Sequence, residues 1–425
     1  MVQVSKIDSQ GYSKLTAQTL QQRLMDVPNV MDQVGSENDV WTVREIGDGN
    51  LNLVFIVEGS KGAVIVKQAL PYVRLVGESW PLPLSRSHFE YEALIRQNER
   101  DHGRVPRVFH FDKVNAIIVM ECFRPHKILR RALIDGEISS DHAPQVGRFL
   151  ARTLFKSSDL AMTAAEKRAD IALFSANAEL CAITEELVFT EPYWAAPMNR
   201  HTSPFLDTVV ADIRSHEKLK IVVQEAKRRF LCSTDVLLHG DLHTGSVMVT
   251  EQEAVVIDPE FAIYGPAGFD IGMLLGNLWI SYFAQGGHAD PASATDRATR
   301  ILALIEAIWT HFASEWRELA TTFRNGSVLC IDMFPTSELL SELVEVDLRT
   351  MWDDALIFAG AEIIRRSLGL AHNADFEDIA DPRKRAICET AALRFAQKLL
   401  LDRKTFGKTV QLVNAAAEGL GGYGC

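Results

Sequence analysis

Cysteine is scarce and scattered: the six in 425 residues (Cys122, Cys181, Cys232, Cys330, Cys388 and Cys425) include no CxxC pair. Neither a zinc site nor a disulfide framework is indicated, and a reducing cytoplasm is the expected home. Long apolar runs are missing as well. The longest, Ile271 to Ala284, contains Asn277 and is too short to span a bilayer, so it reads as a buried helix. The opening stretch, Met1 to Leu20, has no apolar segment behind a basic start, and no signal peptide is expected. Positive charge is also in short supply, since 44 Lys and Arg stand against 56 Asp and Glu. That balance argues against a nucleic-acid or anionic-membrane partner, which would call for clustered cations. An anionic ligand would need a local cationic site. No low-complexity tract or internal repeat is visible, and the Gly-rich end, Gly419 to Cys425, reads as a frayed tail.

What the chain does have is apolar content, 47% of its residues, over a length that suggests two lobes. From Thr16 to Val34 apolar residues recur at helical spacing, and then the period changes. Trp41 to Ile46, Leu51 to Val57 and Ala63 to Val66 read as strands, joined by turns at Gly47-Asp48-Gly49-Asn50 and Gly59-Ser60-Lys61-Gly62. A charged helix, Arg86 to Arg100, and two more strands, Val105 to Phe111 and Ala116 to Met120, complete a five-stranded antiparallel sheet with one helix. Glu121 to Pro125 has the position of a hinge, because a Pro soon after a buried strand ends it. Helical patterns dominate afterwards: Pro144 to Asp159, Ala164 to Leu187, Thr202 to Phe230, Arg297 to Thr322, Ser337 to Leu370 and Pro382 to Leu401. The expected class is α+β, with an N-terminal lobe over 1–120, a hinge over 121–126 and a mainly helical C-terminal lobe over 127–425.

The chemistry concentrates between those helices. Leu237-Leu238-His239-Gly240-Asp241-Leu242-His243-Thr244-Gly245-Ser246-Val247-Met248-Val249, then Val255-Val256-Ile257-Asp258-Pro259-Glu260, reads as strand, loop, strand, turn and strand, with acids at the turns. Acids also fall in turns by chance, since Asp and Gly are ordinary turn residues. Here apolar strands flank each acid with room for only a short hairpin between them, and Gly240 lets the backbone turn sharply before Asp241. The layout is that of a kinase active site. Phosphoryl transfer needs one carboxylate to orient the attacking hydroxyl and others to hold metal beside the phosphates. Asp241 fits the first task, and Asp258 and Glu260 the second. Lys67, at the end of a buried strand, needs an anion for its ammonium, and nucleotide phosphates would supply it. Its protein partner would be Glu90 or Glu92 on the following helix. The loop Gly47 to Asn50 could expose N–H groups to phosphate. His239 and His243 read as hydrogen-bonding residues of the loop, since no third ligand at zinc-like spacing accompanies them.

Together with Asn50 and Lys67, these segments resemble the eukaryotic-type kinase fold of aminoglycoside and choline phosphotransferases. They resemble the methylthioribose kinase family more closely. The segments that carry this likeness are Gly47 to Asn52, Val66 to Arg74, His239 to Ser246, Asp258-Pro259-Glu260-Phe261, Gly265 to Gly272 and Glu362-Ile363-Ile364-Arg365-Arg366. The resemblance implies a two-lobed protein-kinase-like fold and transfer of the ATP γ-phosphate to the 1-hydroxyl of 5-methylthioribose, with Mg²⁺ as cofactor. It implies ATP contacts at Asn50, Lys67, the hinge residues Glu121, Cys122 and Phe123, and Asp258, Pro259 and Glu260. Metal would be held by Asp258 and Glu260, and the sugar by Asp241, Arg365 and Arg366. Within a helical pattern at most one of those two arginines is expected to face the core. Ser246 stands where the wider fold carries a metal-ligating Asn, which leaves Glu260 to supply a carboxylate. Asp270 is expected to brace the catalytic loop, and Pro71 to Pro83 with Trp80 resembles the family's lid. A homodimer is implied by the family. The alternatives are another small-alcohol kinase, such as an aminoglycoside or choline kinase, and a nucleotide-binding pseudokinase scaffold. The arginine pair argues against cationic substrates, and retention of Lys67 and the three acids argues against a pseudokinase.

Overall fold

A computed structural model describes residues 11–36, 39–46, 51–74, 76–323, 326–328, 333–334, 336–407, 411–412 and 415–416. The chain divides into two compact units. The first comprises Met1–Pro125, Asn177–Leu180 and Ile257–Ala262; the second comprises His126–Ala176, Cys181–Val256 and Ile263–Cys425.

In the first unit the helical stretch after Thr16 forms two helices, α1 (Ala17–Leu24) and α2 (Pro28–Val34). Thr16 caps the first in a capping box, and Pro28 occupies the first turn of the second, where a missing N–H is tolerated. The strands β1 (Thr42–Ile46), β2 (Asn52–Glu58) and β3 (Ala63–Ala69) follow. A short hairpin, β4 (Tyr72–Val73) with β5 (Gly77–Pro81), occupies the segment read as a lid. Then come α3 (Arg86–Arg100), β6 (Val108–Asp112) and β7 (Ile117–Glu121). The sheet order is β1-β2-β3-β7-β6, antiparallel throughout. Strand alternation sends Val64 and Val66 of β3 into a core with Leu20, Val30, Val34 and Phe55. Lys67 therefore points to the opposite face, toward α3.

The second unit opens with β8 (Lys127–Ile128), α4 (Leu129–Asp135) and α5 (His142–Phe155). The expected helix over 164–187 is two helices, α6 (Ala164–Phe174) and α7 (Ala178–Phe189), and that over 202–230 is α8 (Asp207–Ser215) and α9 (Glu217–Cys232). The second break is made by His216, whose Nδ1 accepts the Leu219 N–H and caps α9. Four short strands frame the HGD loop: β9 (Val236–Leu237), β10 (Val247–Val249), β11 (Ala254–Val256) and β12 (Tyr264–Gly265). β10 pairs with both β8 and β11, and β9 with β12. Long helices complete the unit: α10 (Gly268–His288), α11 (Pro291–Thr322) and α12 (Ser337–Leu368), then α13 (Ala374–Glu377) and α14 (Pro382–Leu401).

Two of these helices, α10 and α12, pack closely and flank the HGD loop. α10 is buried along most of its length, yet no helix among the described residues is long and apolar enough to cross a membrane. Its glycines recur every fourth residue at Gly268, Gly272 and Gly276, all against α12. A Cβ at Gly272 would lie 2.5 Å from the Ala355 carbonyl oxygen, and one at Gly276 would lie 2.9 Å from that of Ala359. The stripe thus lets the two backbones approach closely. α12 carries Glu362, Arg365 and Arg366.

Candidate active site

In the first unit an ion-pair group forms around Lys67. Its ammonium donates to Glu90 Oε1 at 2.9 Å, pairs closely with Asp258 Oδ1 and lies 3.7 Å from Glu260 Oε2. Glu90, not Glu92, is the helix partner. Residues two apart on a helix face nearly opposite sides, and Glu92 turns away to pair with Arg96. Burial alone would lower the Lys67 pKa, but Asp258, Glu260 and Glu90 more than reverse this and hold it well above the ordinary value. Burial raises Glu90 and Glu260, and the neighbouring Asp258 adds to both shifts. Three carboxylates therefore crowd one ammonium.

Glu260 is fixed by its surroundings. Asn52 Nδ2 donates to Glu260 Oε2 at 2.6 Å, and Asn52 Oδ1 accepts from Arg86 Nη2 at 2.8 Å. Arg86, fully buried, also donates to the carbonyls of Leu70 and Leu51. Asn177 Nδ2 donates to the backbone carbonyls of Glu260 and Ala262. Asp258 has a left-handed φ of 70°, a region that Asp enters more readily than most residues. Its side chain is 48% exposed. Pro259 is buried, and its carbonyl accepts the Ala262 N–H. Glu121 ends β7, with Cys122 and Phe123 in the irregular stretch after it. Asn50 and its loop, 47–50, lie outside the described residues.

In the second unit the HGD loop is held by its own backbone and by α10. The N–H groups of His239 and Gly240 donate to the two oxygens of Asp270, at 2.6 and 3.0 Å. Asp270 is thus a brace, as expected. Gly240 takes a φ of 87°, which costs a glycine little. Ser246 Oγ donates to the Asp241 carbonyl at 3.0 Å, closing the loop on itself. His243 Nδ1 accepts the Gly245 N–H at 2.9 Å. Burial holds this imidazole below its usual pKa, so the neutral ring carries its proton on Nε2, 3.5 Å from Asp241 Oδ2. Burial would raise the Asp241 pKa, but His243, Arg365 and Arg366 together hold it well below the carboxylate range.

Both arginines reach this carboxylate. Arg365 Nη1 lies 3.5 Å and Arg366 Nη2 3.6 Å from Asp241 Oδ1, and each residue is only 7% exposed. The expectation that at most one would face inward is corrected. Glu362, three and four residues earlier on α12, accepts from both and draws consecutive side chains to one side.

The structure thus brings together Lys67, Asp258 and Glu260 in one unit, and Asp241, Arg365 and Arg366 in the other. Sequence reasoning assigned no role to Asn52, Arg86, Glu362, Arg130 or Asn277. A buried Arg early in α3 gives no sequence signal, but the Glu-x-x-Arg-Arg spacing of α12 does signal a shared carboxylate.

Comparison with known proteins places these features in context. The family described as "Phosphotransferase enzyme family" (APH) matches residues 42–303. Methylthioribose kinase 1 of Oryza sativa subsp. japonica is 41% identical over 408 residues, covering 95% of each chain. Methylthioribose kinase of Escherichia coli O45:K1 (strain S88 / ExPEC) is 40% identical over 409 residues, covering 96% of this chain and 98% of its own. Among solved structures, a glucosamine kinase in complex with glucosamine, ADP and inorganic phosphate aligns with a TM-score of 0.51 at 14% identity, covering 92% of this chain and 89% of its own. That last likeness concerns the fold alone.

Proposed function

Because the chain belongs to the methylthioribose kinase family, within the phosphotransferase enzymes, we propose that it phosphorylates 5-methylthioribose. ATP is the donor, the 1-hydroxyl is the acceptor, and the products are the 1-phosphate and ADP in methionine salvage. The observation that carries this reading is identity of about 40% to methylthioribose kinases along 95% of the chain. The buried arginine pair beside Asp241 supports it, because guanidiniums suit an anionic transferring group and repel the cations of choline or an aminoglycoside.

In this reading Asp241 accepts a hydrogen bond from the sugar 1-hydroxyl and aims its oxygen at the phosphoryl group. A carboxylate held so far below its normal range is a weak base, so the proton moves to it late, as the new bond forms. Arg365 and Arg366 meet the negative charge of the transferring group, and Lys67 meets the nucleotide phosphates. Asn50, Glu121, Cys122 and Phe123 would contribute the remaining ATP contacts, the last three through backbone groups to adenine.

The acidic group in the first unit fits a magnesium ion. Oxygens of Glu90, Asp258 and Glu260 lie within 4.8 Å of one another, an all-oxygen set that suits a hard cation. Excess carboxylate over ammonium there calls for further positive charge. Asp258 and Glu260 would hold the ion, with Glu90 remaining on Lys67. When bound, it would neutralise phosphate charge beside the nucleotide. Ser246 is engaged within its own loop and is left out of this set. A cytoplasmic homodimer completes the proposal.

Coupled-enzyme detection of ADP, with magnesium and ATP present, tests the substrate. Methylthioribose should drive turnover, whereas choline and aminoglycosides should leave the rate at its background. Turnover with those cations and none with methylthioribose would refute the assignment.

A further inference from the structure

We infer that Glu362 is a positioning residue that holds Arg365 and Arg366 side by side and keeps their hydrogen bonds off the acceptor carboxylate Asp241. This rests on the reading that transfer takes place at Asp241.

The distances carry the argument. Glu362 accepts from Arg365 Nη1 at 3.1 Å through Oε2 and from Arg366 Nε at 2.6 Å through Oε1. The same guanidiniums stand 3.5 and 3.6 Å from Asp241 Oδ1, beyond good hydrogen-bond length. Two carboxylates thus share two cations unequally: Glu362 takes the hydrogen bonds, and Asp241 receives charge at a greater distance. Arg365 Nε and Arg366 Nη2, both buried, have no hydrogen-bond partner among the described residues. Neither donor is hydrogen-bonded to Glu362 or to Asp241.

Glu362 is itself anchored. It is fully buried on α12, and Oε1 also accepts from Asn277 Nδ2 at 2.9 Å. Asn277 Oδ1 in turn accepts from Arg130 Nη2 at 3.2 Å, and Arg130 Nε lies 3.2 Å from Asp375 Oδ2. A carboxylate held from behind by a side-chain amide cannot follow the arginines, so the arginines are held by it. Helix geometry explains the rest. Consecutive side chains diverge by about 100°, and a residue three and four positions earlier lies between them. Without the Glu362 charge, both guanidiniums would have Asp241 as their nearest carboxylate. They would close on it in charge-assisted pairs, occupying the oxygen that a sugar hydroxyl requires.

The test is a double-mutant cycle on methylthioribose-dependent ADP release, combining Glu362→Gln with Arg366→Ala, with ATP affinity measured by calorimetry. Glu362→Gln alone should lower kcat by about thirtyfold or more, with sugar KM and ATP Kd within about threefold of the parent. On the Arg366→Ala background it should add less than about threefold, since its effect passes through the pair. A kcat within twofold of the parent, or losses that multiply in the double variant, would overturn the inference. If Glu362→Gln does not fold, Glu362→Asp decides: it keeps the charge but retracts it by one methylene. Its kcat should fall at least about fivefold at unchanged KM, and a parent-like kcat overturns the role. A parent enzyme that ignores methylthioribose but turns over another alcohol contradicts the substrate assignment alone. The same cycle read with that alcohol still decides the role of Glu362.

Discussion

Asp241 is the residue proposed to aim the acceptor hydroxyl, and its environment sets what it can do. Surrounded by an imidazole N–H and two guanidiniums, its carboxylate stays ionised well below the usual range, so it serves by direction and charge. Asp241→Asn keeps the shape and removes the charge. It should lower kcat by about two to four orders of magnitude while leaving calorimetric ATP affinity at the parent value. Substantial turnover by that variant would take the acceptor role from Asp241. Much of this residue-scale picture was open to reading from the sequence, because Asp241, Asp258 and Glu260 sit in turns beside short strands and Lys67 lies in an apolar strand, β3, that runs on to Ala69 where the sequence suggested an end. The choice of Glu90 over Glu92 was not, since either could have faced β3 until the phase of α3 was fixed. The inward pointing of both arginines required knowing that Glu362 lies between them. Asn52 and Arg86 were silent for a plainer reason: their partners, Glu260 and the carbonyls of Leu51 and Leu70, meet them only through tertiary folding.

Elements showed the same division. Strands bounded by Gly-rich turns were visible to within a few residues, as were the bounds of helices α3 and α14. Breaks between α6 and α7 and between α8 and α9 contain neither Gly nor Pro, so the period ran on through them. The start of α11 was legible in principle, because Asp290 caps it ahead of Pro291, a standard opening signal. The glycine stripe of α10 makes an element-scale prediction. Gly272→Ala would place a Cβ 2.5 Å from the Ala355 carbonyl oxygen and 2.7 Å from Phe358 Cβ. The helices must then separate, at about 1–3 kcal/mol for overpacking a tight core. Melting should occur several degrees lower, and kcat should fall with it because α12 carries the arginine pair. Parent-like melting and turnover together would show that the close approach is dispensable.

For the whole molecule, pH-dependent stability has a candidate source away from the proposed chemistry. Glu389 of α14 is fully buried, and burial pushes its carboxyl from 4.5 up to about 7, against the smaller opposing effects of Thr202 and Arg385. A folded-state pKa above the unfolded one favours the folded chain at low pH, and that advantage is lost as pH rises from about 4.5 through about 7. Glu389→Gln should therefore gain on the parent across this window. Its melting temperature relative to the parent should be higher at pH 8 than at pH 5 by roughly 2 °C or more. A difference that is flat with pH would remove Glu389 as the source. The central claim concerns what the molecule makes, and family membership over 95% of the chain supports a single product. Phosphorus NMR on a reaction of ATP, magnesium and methylthioribose reads that product directly. The account requires one new phosphate monoester coupled to the anomeric proton, growing in step with ADP. Phosphate on any other hydroxyl, or ADP appearing with free phosphate and no sugar ester, would contradict it.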